Sequence, residues 1–244
     1  MNEKKISQSR ADTLVVIPTY CEAANIAPFI TEVLGAINCD ILVVDDDSPD
    51  GTGRVVLDHF ENDPRVSLLS RRGKQRGLGP AYVDGFTRAL EAGHPYVAQM
   101  DADFSHRPAE LPRLREAASR ADLVVGSRYV EDGRAAGLGK FRRLVSQGGS
   151  LYARAILGLP IRDVTGGFKC WRRETLEVIE FASVASTGFA FQIEMNYRVH
   201  KKGLSMVEVP ITFDERRSGA SKMSTGIFLE GLAAVWRVRL GRWR

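Results

Sequence analysis

Short apolar runs rich in β-branched residues alternate with segments of helical spacing through much of this 244-residue chain. This alternation limits the possible folds more than any other feature. Strands are expected at residues 13–17, 41–44, 66–69, 96–100 and 123–125. Between the first two, Ile26, Phe29, Ile30, Val33 and Leu34 recur at helical spacing, and Gly35 is expected to end that helix. Further helices are expected over 81–92 and 110–118. Alternation of this kind implies an α/β fold, a mostly parallel sheet flanked by helices on both faces. Such sheets bind ligands beyond the carboxyl ends of their strands. Polar motifs recur at those ends: Pro18-Thr19-Tyr20-Cys21-Glu22, Asp45-Asp46-Asp47-Ser48-Pro49-Asp50-Gly51, and Asp101-Ala102-Asp103.

Asp101 and Asp103 are the sharpest of these. Two carboxylates flanking one small residue at a strand end are hard oxygen ligands, suited to Mg²⁺ or Mn²⁺. A diphosphate can share such an ion as it leaves. An isolated D-x-D is more often a pair of solvated loop acids; the neighbouring motifs reverse those odds. Glu22 and the three acids Asp45, Asp46 and Asp47 place carboxylates near the first two strand ends. A carboxylate there can read the ring N–H donors of uracil or guanine. Tyr20 suits the face of a base, and Pro18 the turn beside it. Ser48 and Asp50 are expected to cap the next helix, and Asp46 to act on the ligand.

The basic residues form separate groups. Arg71, Arg72, Lys74 and Arg76 precede Gly77-Leu78-Gly79-Pro80, where a helix start could hold phosphate, although a basic run alone is more often solvated surface. Arg128 follows the fifth strand. Arg142, Arg143 and Ser146 follow a Gly-rich and charged segment, 131–140, that reads as a mobile loop. Arg216, Arg217 and Lys222 come last, and Arg143 and Arg217 read as ordinary surface. Acids on one side and basic groups on the other suit a transferase whose donor and acceptor both carry phosphate.

Other classes fit less well. The glycine fingerprint of dinucleotide binding and the P-loop are both missing, against hydride transfer and ATP hydrolysis. The net charge of +4 permits a polyanionic partner, but no nucleic-acid reading motif accompanies it. No apolar run approaches the roughly 20 residues needed to cross a bilayer. The polar, basic residues 1–10 show no signal peptide, and three cysteines without metal or redox spacing point to a reducing cytosol.

In order, these motifs resemble those of the dolichol-phosphate (polyprenol monophosphate) mannose synthases, inverting GT-A glycosyltransferases of family 2. The resemblance runs from about Thr13 to about Gly226 and includes Ser127-Arg128-Tyr129, Asp163-Val164-Thr165-Gly166-Gly167-Phe168, Phe191-Gln192-Ile193-Glu194-Met195, Glu208-Val209-Pro210-Ile211 and Ser221-Lys222-Met223. It implies a GT-A catalytic domain over 1–225 and mannose transfer from GDP-mannose to a polyprenyl phosphate. Carried over by position, Pro18, Tyr20, Glu22, Val44 and Asp46 hold the nucleoside, and Asp101, Ala102 and Asp103 hold metal and diphosphate. Arg128, Arg216 and Lys222 meet the phosphates, with Arg142 and Ser146 nearer the acceptor. Cys21 and Asp47 depart from the usual Asn and Gly or Asn. The Q-x-x-R-W motif of processive synthases is missing; Arg239-Leu240-Gly241-Arg242-Trp243 comes near it.

A phosphate acceptor already carries about −1.5 to −2 charges and attacks without losing a proton. Glu194, in a motif where hydroxyl-using relatives keep a catalytic acid, is therefore expected to be structural or acceptor-positioning. The rival readings are a glucosyl or other hexosyl transferase on the same acceptor, a soluble-glycan transferase, and a non-catalytic nucleotide-binding module. Residues 226–244 read as an amphipathic helix with a basic end, expected to touch a membrane surface or an integral membrane partner. The expected place is the cytoplasm, at the cytoplasmic face of a membrane.

Overall fold

In the computed structural model, residues 11–136, 139–184, 186, 188–215 and 225–241 are described. Strand β1 (Thr13–Thr19) shows why the apolar runs are nearly continuous. Leu14 and Val16 enter one core, and Val15 and Ile17 enter another on the opposite face. A strand covered on both sides must be apolar at successive positions. β2 (Asp40–Asp45), β3 (Val66–Ser70), β4 (Tyr96–Gln99) and β5 (Leu123–Ser127) complete the five expected strands.

One core packs helices α1 (Ile26–Ala36), α2 (Thr52–Phe60) and α4 (Leu111–Ala117) on the sheet. The other takes α3 (Leu78–Ala92), α5 (Lys140–Leu157), α6 (Arg173–Val178), α7 (Gly188–Lys201) and α8 (Thr225–Arg239). Gly85 lets α3 lie against β1, since a Cβ there would stand 2.5 Å from Val16 Cγ1. Gly35 does not end α1: the helix runs to Ala36 and closes with Ile37 N–H donating to Val33 O. Segment 131–140 is not all loop, because it contains the short strand β6 (Arg134–Ala135), which pairs with β9 (Thr212–Phe213).

Two further strands, β7 (Lys169–Arg172) and β8 (Met206–Pro210), give a seven-stranded sheet in the order β3-β2-β1-β4-β7-β5-β8. Only β7 runs antiparallel, between β4 and β5. Its reversal places the start of β7 beside the carboxyl ends of its neighbours. Lys169 faces Gln99 on one side and Val125 on the other. The loop 163–168 thus enters the same edge as the motifs that follow β1, β2, β4 and β5.

α8 packs its Val235 and Val238 into the second core, with Ala234 also buried. Among the described residues, no helix is long and apolar enough to cross a membrane.

Candidate active site

The register of β1 on β2 sets Pro18 opposite Val44 and Thr19 opposite Asp45. The expected nucleoside group therefore converges at two adjacent strand ends. Its acids are already engaged within the chain. Asp45 accepts from Thr19 Oγ1 at 3.0 Å and from Ser48 N and Oγ at 3.0 and 2.6 Å. Asp46, 6% exposed, accepts from Arg71 Nη1 on Oδ1 and from Gly77 N at 2.8 Å on Oδ2. Arg71 also bonds Asp84 at 2.8 Å and the Gln75 carbonyl at 2.9 Å. Arg71 is thus neither solvated surface nor an open phosphate site. It is buried and holds the loop 71–77 against β2. Asp50 accepts from the backbone N–H of Thr52, which opens α2, and of Ala23, whereas Ser48 caps no helix and accepts from Cys21 N; both are structural. Tyr20 lies exposed under Arg76, whose guanidinium carbon is 5.1 Å from the ring centroid. Glu22 Oε2 accepts from Asn25 Nδ2 at 2.8 Å.

Asp101-Ala102-Asp103 follow β4 after one residue, Met100. The backbone N–H of Asp101 donates to His106 Nδ1 at 3.1 Å, and Asp103 Oδ1 accepts from Ser105 N at 3.0 Å and from its hydroxyl. These bonds fold the acid loop back on itself. Burial first, then the charges of Asp101 and Asp103, hold the Tyr82 phenol well above its ordinary pKa. No group of three or more metal-ligating acids, histidines or cysteines occurs among the described residues. Two carboxylates fit an ion of the Mg²⁺ kind, which takes one or two from protein and the rest from phosphates and water.

Arg128 leaves the end of β5 almost fully buried. Its Nε and Nη2 each lie 2.7 Å from Asp163, and Nη2 is 2.9 Å from Thr165 Oγ1. Burial opposes the Arg128 charge, but Asp163 more than offsets it and raises its pKa. Burial likewise pushes the Asp163 carboxyl up, yet Arg128 outweighs that and holds it low. Nη1 has no hydrogen-bond partner among the described residues. Tyr129 OH donates to Ser146 Oγ at 2.7 Å, so the structure brings Ser146 to the Arg128 loop. Arg142 stands about one turn before Ser146 along α5. Arg216 and Lys222 lie outside the described residues. The chain leads towards them from Asp214, whose N–H bonds Ser105 O at 3.1 Å and whose carboxylate pairs with Arg107.

Glu194 is 1% exposed. Its Oε1 takes Arg198 Nε and Nη2 at 3.0 and 2.8 Å, and Oε2 takes Ser186 N at 3.3 Å. Asp163 and Gln192 lie in the motifs 163–168 and 191–195, yet nothing local singles them out. Both matter through partners distant in sequence.

A mostly parallel α/β sheet with paired acids after β4 and a buried arginine, Arg128, after β5 is the arrangement of a nucleotide-sugar transferase with the GT-A fold. The chain matches the family model "Glycosyl transferase family 2" over residues 14–179 and belongs to that family. It is 45% identical over 240 residues to the undecaprenyl-phosphate mannosyltransferase of Micrococcus luteus, covering 93% of this chain and 98% of the relative. It is 44% identical over 232 residues to the polyprenol monophosphomannose synthase of Mycolicibacterium smegmatis, covering 93% and 87%. Among solved structures it resembles glucosyl-3-phosphoglycerate synthase of Mycobacterium tuberculosis with Mn²⁺, UDP and phosphoglyceric acid. That match has a TM-score of 0.70 at 19% identity over 94% of this chain and 78% of the other. Mannosyl-3-phosphoglycerate synthase of Rubrobacter xylanophilus gives a TM-score of 0.63 at 23% identity, over 94% and 73%.

Proposed function

We propose that the protein is a polyprenyl-phosphate mannosyltransferase that moves mannose from GDP-mannose to the phosphate of a polyprenyl monophosphate. The observation that carries this reading is the meeting of the acid loop 101–103 and the Arg128–Ser146 loop across 163–168, in a chain 44–45% identical to two enzymes named for this activity. In this reading Pro18, Tyr20, Glu22, Val44 and Asp46 hold the nucleoside. Asp46 acts indirectly, by fixing Arg71 and the Gly77 backbone. Asp101 and Asp103 would hold a divalent ion, whose contribution would be to offset charge on the departing diphosphate. Arg128 offers Nη1 to the acceptor phosphate, with Arg142 and Ser146 beside it. Arg216 and Lys222 complete the cationic side.

A phosphate oxygen attacks the anomeric carbon as its bond to the diphosphate breaks. One displacement inverts that carbon. No proton must be removed, which agrees with the engagement of both Glu194 oxygens by Arg198 and Ser186. The acceptor lies in a bilayer, and exposed apolar side chains support a membrane contact in this reading. Leu144 and Leu151 on α5, Trp236 on α8 and Leu240 just beyond it are 67, 63, 50 and 60% exposed, α5 and α8 pack together, and exposed Arg143, Arg237 and Arg239 are nearby in the sequence. Apolar residues beside arginines suit an anionic headgroup region.

The test is a panel of labelled nucleotide sugars supplied with a short polyprenyl phosphate and Mg²⁺ or Mn²⁺. Lipid-extractable product is expected from GDP-mannose. Product only from another nucleotide hexose, or none from any, would reject the mannose reading.

A further inference from the structure

Glu208 opens the motif Glu208-Val209-Pro210-Ile211 on β8, at the edge of the sheet, and stands opposite Val125 of β5 in the parallel register. It is half-buried and commits both carboxylate oxygens to backbone. Oε2 accepts from Arg162 N at 2.8 Å, and Oε1 from Asp163 N at 2.9 Å. Two successive N–H groups aimed the same way need two acceptors side by side, which a carboxylate supplies and an amide does not.

The Asp163 side chain, fully buried, grips Arg128 in turn. Its Oδ2 accepts from Arg128 N at 3.0 Å and Nε at 2.7 Å, and its Oδ1 from Nη2 at 2.7 Å. A guanidinium is planar, so fixing Nε and Nη2 also fixes the direction of Nη1. Asp163 can aim Arg128 only if its own backbone is held. Asn196 of α7 holds the next residue, with Nδ2 donating to Val164 O at 3.0 Å, but Glu208 acts on Asp163 itself. The two strands are also joined beyond Glu208: Ser127 stands opposite Pro210, and Ile211 N donates to Ser127 O at 3.0 Å. The contacts therefore close a ring, from β5 through Arg128, Asp163 and Glu208 to β8 and back to β5. A closed ring leaves the guanidinium little freedom to swing.

We infer that Glu208 is a positioning residue for the acceptor phosphate: through Asp163 it fixes the direction in which Arg128 presents Nη1. The inference rests on the proposed transfer to a polyprenyl phosphate.

Kinetics and NMR of the full chain with Mn²⁺ test it. Glu208→Gln keeps the shape and one acceptor oxygen, but turns an NH₂ group towards the second N–H. The KM for a short polyprenyl phosphate should rise roughly tenfold, the scale of one misplaced hydrogen bond to a charged group, while the KM for GDP-mannose stays within about twofold. The Arg128 Nε–H signal, assigned by its loss in Arg128→Met with Asp163→Asn, should shift and exchange faster with water. If Glu208→Gln does not fold, Glu208→Asp, which keeps the charge on a shorter stem, is read by the same criteria. A lower melting temperature with both KM values unchanged makes Glu208 merely structural and overturns the inference. An equal rise in both KM values does the same, as does an acceptor KM that rises while the Arg128 signal is unchanged. If wild type transfers a different hexose, the mannose reading fails, and the same split measured with that donor still decides the role of Glu208. If wild type transfers no sugar, the proposed function fails, and the Arg128 signal alone decides whether Glu208 positions that arginine.

Discussion

Single side chains at this site carry structural and chemical duties together, so the informative substitutions separate them. Asp103 accepts from Ser105, and Asp103→Ala would loosen the loop as well as remove charge. Asp103→Asn keeps an oxygen for Ser105 and removes only the charge. It should melt close to wild type and lose roughly 10²-fold or more in kcat, the scale of one electrostatic stabiliser of a transition state. Kinetics at saturating Mn²⁺ beside a thermal melt check this. A folded variant with wild-type kcat, or full activity of metal-free protein in excess EDTA, removes the metal from the mechanism. Arg128 needs a different design. Removing it alone strands the buried Asp163 carboxylate, at a cost of about 3–5 kcal/mol. Arg128→Met combined with Asp163→Asn takes out both charges. The double variant should fold and still transfer no sugar. A folded double variant with normal turnover would exclude Arg128 from phosphate binding.

At the scale of elements, α7 is clamped to the segment before it. Arg198 bonds Glu194, the carbonyls of Ile179 and Glu180, and Ser183 Oγ. Glu194→Gln weakens that clamp. It should lower the melting temperature while kcat stays within a few-fold of wild type. A loss of roughly 10²–10⁴-fold in a folded variant would identify Glu194 as a general acid–base group and favour a hydroxyl acceptor. β7 carries a pH signature. Burial lowers the Lys169 pKa to about 7, partly opposed by Asp163, against an ordinary 10.5. The unfolded chain therefore binds the extra proton between those values, and stability rises with pH from about 7. Burial also pushes Cys39 and Cys170 up to about 12 from 9.0. There the folded state keeps protons that the unfolded state loses, so their contribution falls above about pH 9. Urea unfolding should show stability increasing from pH 7 to about 9, and Lys169→Met should flatten that rise. An equally steep rise in the variant would assign it to other groups.

The whole molecule presents one functional edge and, in the proposed reading, one membrane-facing pair of helices. In the described part of the C-terminal segment, Ala234, Val235 and Val238 are buried and Arg239 reaches Tyr197 OH at 3.3 Å. Deletion of residues 226–244 is expected to unfold the protein by opening the core. Trp236→Ser with Leu240→Ser leaves that packing in place. The pair should melt like wild type and act normally on detergent-solubilised acceptor. It should sediment less with anionic liposomes and work more slowly on bilayer acceptor. Unchanged sedimentation and equal rates on both acceptor forms would remove this face from membrane contact.

The sequence by itself determined the α/β class, five strands and the loops that carry the chemistry. Those features rest on local periodicity and on short motifs at strand ends, which act within a few residues. It also marked Asp101 and Asp103, because paired acids after an apolar run are legible without neighbours. Only the tertiary structure decided that Asp46 is held by Arg71 and Gly77, that Arg128 is matched by Asp163 35 residues away, and that β7 enters the sheet reversed. It alone fixed the orientation of the buried Gln192 amide, through an indole, a second glutamine and a buried lysine. Such relations have no sequence period. They arise when burial removes water and each remaining donor must find an acceptor wherever the fold has placed one.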